Sequence, residues 1–194
     1  MYTLPNSIII DDTEYAIRNN GDYRTILDCF SALEDIELPQ QYRIYSALII
    51  FYDDINSVDD VENKLGENVE EAVNKMFDFF NCGQENVGMQ VNYKLIDWEQ
   101  DSQIISAAIN NVARREIRSE PYLHWWTFMG YYCSIGESIL STVVNIRDKI
   151  VKGKKLEKHE KEFKRNNPQY FNWRAEDIQK QEDDKLAFSM WNAE

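Results

Sequence analysis

LIDWEQDSQIISAAINNVARREIRSEPYLHWWTFMGYYC, residues 95–133, is the stretch on which the reading of the fold turns. It divides into two helical segments joined by a short polar turn. In the first, Trp98, Ile105, Ala108, Ile109 and Val112 fall near helical spacing and make one apolar face. Asp97 stands where an N-cap belongs, and Gln100, three residues on, completes a capping box. Ser119 and Pro121 are expected to open the second helix as cap and early proline. That helix carries Leu123, Trp126 and Gly130 along one row and Tyr122, Trp125, Met129 and Tyr132 along another. A helix apolar nearly all round is expected inside a core, with part of this aromatic cluster as a candidate face for a partner.

Outward from this centre the chain reads as mainly α. A short β-hairpin is expected within residues 3–18, from Ser7–Ile10 and Glu14–Ile17 around an Asp11-Asp12-Thr13 turn. Asp22 caps a helix over 23–34 that presents Tyr23, Ile26, Leu27, Phe30 and Leu33. A helix over about 39–52 follows Pro39, with Tyr42, Tyr45, Leu48, Ile49 and Tyr52 apolar. Ser57 and Asp60 form a capping box for a short helix to about Lys64. A helix over 68–81 carries a Val69, Val73, Met76, Phe77 and Phe80 stripe, stopped by Gly83. Residues 83–93 read as a surface loop. A helix from Gly136 to about 152 has Ile139, Val143, Ile146 and Ile150 in phase. Lys154–Asn166 is a charged helix broken at Asn167-Pro168, then Tyr170, Phe171 and Trp173 cluster, and 174–191 is weakly amphipathic. The domain reading is one multi-helix domain with an N-terminal hairpin, 1–152, and a charged helical C-terminal extension, 153–194.

Composition narrows the classes of function. The chain has 194 residues and is 43% hydrophobic and 13% aromatic, enough to bury a core. No apolar run reaches the ~18 residues of a membrane span, and no signal peptide is expected at the N-terminus. Cys29, Cys82 and Cys133 are isolated and odd in number, which fits a reducing compartment. The net charge is −13, unevenly spread: residues 147–165 hold nine Lys/Arg against four Asp/Glu, leaving −18 on the remainder. An acidic body repels nucleic acid and anionic membrane. The basic segment reads as a solvated face, with Glu157, Glu160 and Glu162 placed for ion pairs along the helix; a protein-contact arm and a nucleic-acid contact are its alternatives.

Candidate chemistry is sparse. His124 lies among Leu123, Trp125 and Trp126 and reads as a hydrogen-bonded core histidine; His159 sits in a Lys/Glu run and reads as solvated. No Cys-x-x-Cys or His-x-x-x-His spacing offers zinc a site. Asp97, Glu99 and Asp101 imitate a calcium loop, but its sixth and twelfth positions hold Ser102 and Ala108 instead of glycine and glutamate. No glycine-rich phosphate cradle is present. The reading is therefore no catalytic, cofactor or metal residue. Candidate partner contacts are Tyr122, Trp125 and Trp126, with Lys154, Lys155, Lys158 and Lys161 on the basic arm.

Four features together resemble a known family. They are Leu4-Pro5 before a short strand, an acidic turn and Glu14-Tyr15; Tyr23-Arg24-Thr25 leading to Asp28-Cys29-Phe30; Phe79-Phe80-Asn81-Cys82-Gly83; and Asp97-Trp98-Glu99-Gln100-Asp101 leading to Tyr122-Leu123-His124-Trp125-Trp126-Thr127-Phe128. Over about residues 3–150 the chain is similar to the gene-product-fifteen family of small proteins from tailed bacteriophages and prophages of Gram-positive bacteria. The first turn differs, with Asp11-Asp12 where Asp-Gly is expected. The resemblance implies a non-enzymatic role in tail morphogenesis: an assembly chaperone in the host cytoplasm that coats the tape measure protein, helps recruit the major tail protein and leaves before the virion is finished. A structural or connector subunit retained in the tail is the alternative, and self-association is open.

Overall fold

The computed structural model describes residues 3–84 and 94–172. The chain divides into two compact units that interleave in sequence: Met1–Met89 with Ala113–Ser134, and Gln90–Val112 with Ile135–Glu194. Residues 153–172 belong to the second unit. The fold is mainly α with one N-terminal hairpin, as read from the sequence.

In the first unit, β1 (Ser7–Ile10) pairs antiparallel with β2 (Thr13–Ala16), Ile10 opposite Thr13. The loop is therefore the two residues Asp11 and Asp12, both at positive φ (44° and 60°). That is type I′ geometry, whose twist matches the flanking strands, and aspartate tolerates it better than most residues. Ile10, Tyr15 and Ile17 are buried. Ala16 ties the hairpin down: its carbonyl accepts from Asp53 N at 2.9 Å, and its N–H donates to the Asp54 carboxylate at 3.1 Å.

Asp22 caps α1 (Tyr23–Glu34) through the Arg24 N–H. Five residues later α2 (Gln40–Phe51) returns along it. The two approach closely because Cys29 and Ala47, both buried, face each other, Sγ 3.7 Å from the Ala47 carbonyl oxygen. Arg18 closes the end of α2, its guanidinium donating to the carbonyls of Ile49, Tyr52 and Ile55 at 3.0–3.2 Å. The Ile49 oxygen lacks a helical partner and sits at the negative end of the helix dipole, and Tyr52 and Ile55 belong to the turn that follows.

Ser57 caps α3 (Val58–Asp60), which runs on through a π-turn, Val61–Leu65. The reciprocal half of the expected box is displaced by one residue: the Asp60 carboxylate accepts from Asn56 N at 2.8 Å. That bond, with Lys64 beside it, holds the Asp60 pKa below its usual value.

Helix α4 (Val69–Phe80) buries Ala72, Met76, Phe79 and Phe80, and leaves Phe77 exposed. Of the expected stripe, Met76 and Phe80 are buried, Val69 and Val73 half-buried and Phe77 exposed, while Phe79 lies inward. Phe77 and Phe79 are both compatible with a helical face, and tertiary packing decides between them. Phe51 meets Phe79 and Phe80 at ring separations of 5.4 and 5.5 Å. Beyond α4, Cys82 and Gly83 adopt positive φ and Gly83 N returns to Asp78 O at 2.9 Å, a C-terminal stop of the expected kind. The expected 83–93 loop falls mostly outside the described residues, as do Trp173 and the 174–191 helix.

The second helix of the opening stretch begins later than expected. Ile117–Ser119 is a 3-10 turn, Glu120–Leu123 is not helical, and α6 is Trp125–Cys133. Ser119 and Pro121 do not cap it; His124 does. The segment before α6 is claimed by other bonds: Tyr23 N donates to Leu123 O (2.9 Å), Leu123 N to the Asp22 carboxylate (2.9 Å), and Arg24 to Glu120 O (2.7 Å).

In the second unit, α5 (Ser102–Ala113) buries Ile104, Ile105, Ala108 and Ile109. Helix α7 (Ile139–Val151), capped by a Ser138–Ser141 box, buries Leu140, Val143, Ile146 and Arg147. Ile139 and Ile150, expected in its apolar face, are exposed. Helix α8 (Lys158–Asn166) starts later than expected, with residues 154–157 outside it. Its Glu160 does not pair along the helix; the carboxylate meets Lys149 of α7 at 2.6 Å.

Candidate functional site

Three local arrangements concentrate the chain's polar and aromatic chemistry. The first is the junction of α4 and α6. Trp125 and Trp126 are adjacent, and both indole N–H groups donate at 2.9 Å, to Phe80 O and Phe79 O respectively. These are terminal α4 carbonyls without intrahelical partners, so α6 serves as the C-terminal cap of α4. Trp125 also stacks near Phe128 (5.4 Å), which stacks on Tyr23 (4.7 Å).

His124 orients this junction. Its Nδ1 accepts the Trp126 N–H at 3.0 Å and its Nε2 lies 3.0 Å from the Pro5 carbonyl oxygen. Those partners require the neutral ring protonated at Nε2. Burial pushes its pKa below the ordinary histidine value, against the bond to Pro5 and the Asp22 carboxylate, which pull it up. The expected role as a hydrogen-bonded core histidine fits this geometry, with a cap added that the sequence did not show. Gly21 makes room for the ring. Its φ is +72°, and a Cβ there would lie 2.7 Å from Phe79 Cζ and 3.1 Å from His124 Nε2.

The second arrangement is the buried ion pair Asp101–Arg147 in the second unit. Arg147 grips Asp101 with two nitrogens, at 2.5 and 2.9 Å, and also donates to Leu95 O (2.9 Å) and Tyr170 O. Asp101 is 0% exposed and Arg147 2%. The carboxylate further accepts the Asp97 N–H at 3.0 Å, while Asp97 accepts from Glu99 N and Gln100 N. So the reciprocal partner of the Asp97 cap is Asp101, not Gln100. Gln100 instead reaches Gln169 O and Asn172 O. All these contacts tie together residues 94–101, α7 and the 168–172 turn. The arrangement holds the unit's fold; its charges are paired and turned inward.

The third is a groove of about 400 Å³ in the second unit. Leu156, Pro168 and Phe171 give it apolar carbon; Lys161, Lys164 and Arg165 give it positive charge.

The structure distributes the sequence-predicted contact residues among these places. Trp125 is 1% exposed. Trp126 is half-buried, and Tyr122 is 46% exposed with its hydroxyl on Asn20 O. Lys154, Lys155, Lys158 and Lys161 are all exposed, in the second unit. Among the described residues, no group of three or more His, Cys, Asp or Glu side chains is placed to hold a metal ion. No helix among them is long and apolar enough to cross a membrane.

The sequence reading missed the Asp101–Arg147 pair. Its available signal was an arginine adjoining the apolar row of α7, beside Ile146, together with an aspartate one turn before Ile105. Compared with known proteins, residues 2–172 match a family model described as Bacteriophage Gp15 protein. No curated protein and no solved structure matches.

Proposed function

This chain belongs to the bacteriophage Gp15 family, and from that premise we propose that it is a non-enzymatic chaperone of tail assembly that binds the tape measure protein. The observation that carries the reading is a pairing of properties on one chain. It bears a net charge of −13, yet large apolar side chains such as Ile9 (63% exposed), Tyr42, Phe77 and Tyr122 face solvent. Exposed apolar groups give a long, aggregation-prone helix something to bind. Surplus negative charge keeps the coated complex dispersed. In this reading the protein acts in the host cytoplasm, with the major tail protein as a second client, and departs before the virion is complete.

Co-expression with the tape measure protein of the same phage tests it. The tape measure protein is expected to move from the pellet to the soluble fraction, and to remain in the pellet when Ile9, Phe77 and Tyr122 are each replaced by serine. Insolubility regardless of co-expression refutes chaperoning. Stoichiometric peptides of this chain in purified virions would replace it with a retained connector subunit.

A further inference from the structure

We propose that the basic groove on α8 is the docking site for this chain's own C-terminal segment, residues 173–194, held in cis. The groove combines two demands on an occupant. Leu156, Pro168 and Phe171 ask for an apolar side chain, and Lys161, Lys164 and Arg165 ask for negative charge. Helix α8 meets the second demand only for one cation: Glu162 pairs with Arg165 at 3.8 Å, while Glu160 is turned away to Lys149.

The chain's last 22 residues have the complementary composition. They hold six acidic residues against three basic ones, with Glu182-Asp183-Asp184 contiguous, then Lys185, and Leu186 and Phe188 beyond it. The acidic triplet matches the three cations, and the apolar pair matches the apolar lining. Connectivity favours this occupant over any free peptide. The segment starts at Trp173, immediately after Asn172, which itself lines the groove. Covalent attachment at so short a sequence separation gives an effective concentration on the order of millimolar. The residues matched to the family end at 172, so the family-matched core stops at the groove and the complementary segment follows it. Occupied in this way, the groove is closed to other acidic segments until the tail is displaced. The inference is independent of the chaperone reading, and either can fail alone.

Zero-length carbodiimide cross-linking of the full-length protein, read by mass spectrometry on an equimolar mixture of unlabelled and 15N-labelled chains, tests it. The expected result is cross-links from Lys161 or Lys164 to Glu182, Asp183 or Asp184, each within one isotopic species. They should fade at 1 M salt, where charges are screened within about 3 Å. Lys161→Glu with Lys164→Glu should abolish them. Adding Glu182→Lys, Asp183→Lys and Asp184→Lys should restore cross-links of reversed polarity, and unchanged far-UV circular dichroism shows the variants fold. Mixed-isotope cross-links would overturn the cis assignment in favour of exchange between copies. Cross-links from the acidic triplet to other lysines, or none, would overturn the docking site.

Discussion

Replacing Arg147 with methionine removes the central cation of the second unit while keeping most of the side chain's length. Asp101, 0% exposed, then keeps its negative charge without a counter-ion. Removing one partner of a buried pair costs about 3–5 kcal/mol. Arg147 also serves Leu95 O and Tyr170 O, and a buried polar group left unsatisfied costs about 1–3 kcal/mol. The upper end of the first range, about 5 kcal/mol, is therefore expected; it approaches the whole stability of a marginal domain. The companion variant Arg147→Met with Asp101→Asn neutralises the orphaned charge but keeps an acceptor for the Asp97 N–H, which lies 3.0 Å from Asp101. It should regain about 2 kcal/mol, a coupling of the size that contacting residues show. Urea unfolding followed by circular dichroism gives the free energies, and hydrogen exchange at α5 and α7 localises the loss. A single variant within about 1 kcal/mol of the parent would refute the pair's structural role. So would a double variant as costly as the two single ones summed.

The other predictions concern the first unit. Gly21→Ala places a methyl 2.7 Å from Phe79 at φ +72° and should cost about 1–3 kcal/mol; an unchanged melting temperature would show that the ring moves aside freely. Trp125→Ala should destabilise by about 3–5 kcal/mol and Trp126→Ala by less, since only the first is fully buried; the reverse ranking in denaturant titrations would contradict the packing described. His124 has a lowered folded-state pKa, so the unfolded chain binds its proton first as pH falls. Its contribution is complete above the ordinary histidine value of about 6.5 and is lost as pH drops toward the folded value. His124→Asn, which keeps an N-cap acceptor, should flatten that part of the stability–pH curve, and an identical slope in both proteins would assign the effect elsewhere.

The helix inventory was legible because the chain states its periodicity and stop signals openly. Asp22, Ser57 and Gly83 mark ends where the structure has them. What sequence alone misplaced follows from competition between equally good local options. Ser119 and Pro121 form an acceptable helix start, yet the backbone after them bonds to Asp22, Tyr23 and Arg24, about a hundred residues away in sequence. The cap then falls to His124, a residue not favoured for it on local grounds. Phe77 and Phe79 are equally apolar, and distant residues, Phe51, His124 and Trp126, draw Phe79 inward. Asp101 and Arg147 carry no local sign that they meet across 46 residues. Trp125 and Trp126 look alike in sequence and both bond to α4 carbonyls, yet only Trp125 is fully buried.

Light scattering coupled to size-exclusion chromatography, on the full-length protein mixed with a soluble fragment of its tape measure protein, tests the central claim most directly. The expected result is a monodisperse complex whose mass is an integral sum of both chains, formed without loss of material from solution. Separate elution of the two chains at concentrations of tens of micromolar would contradict it.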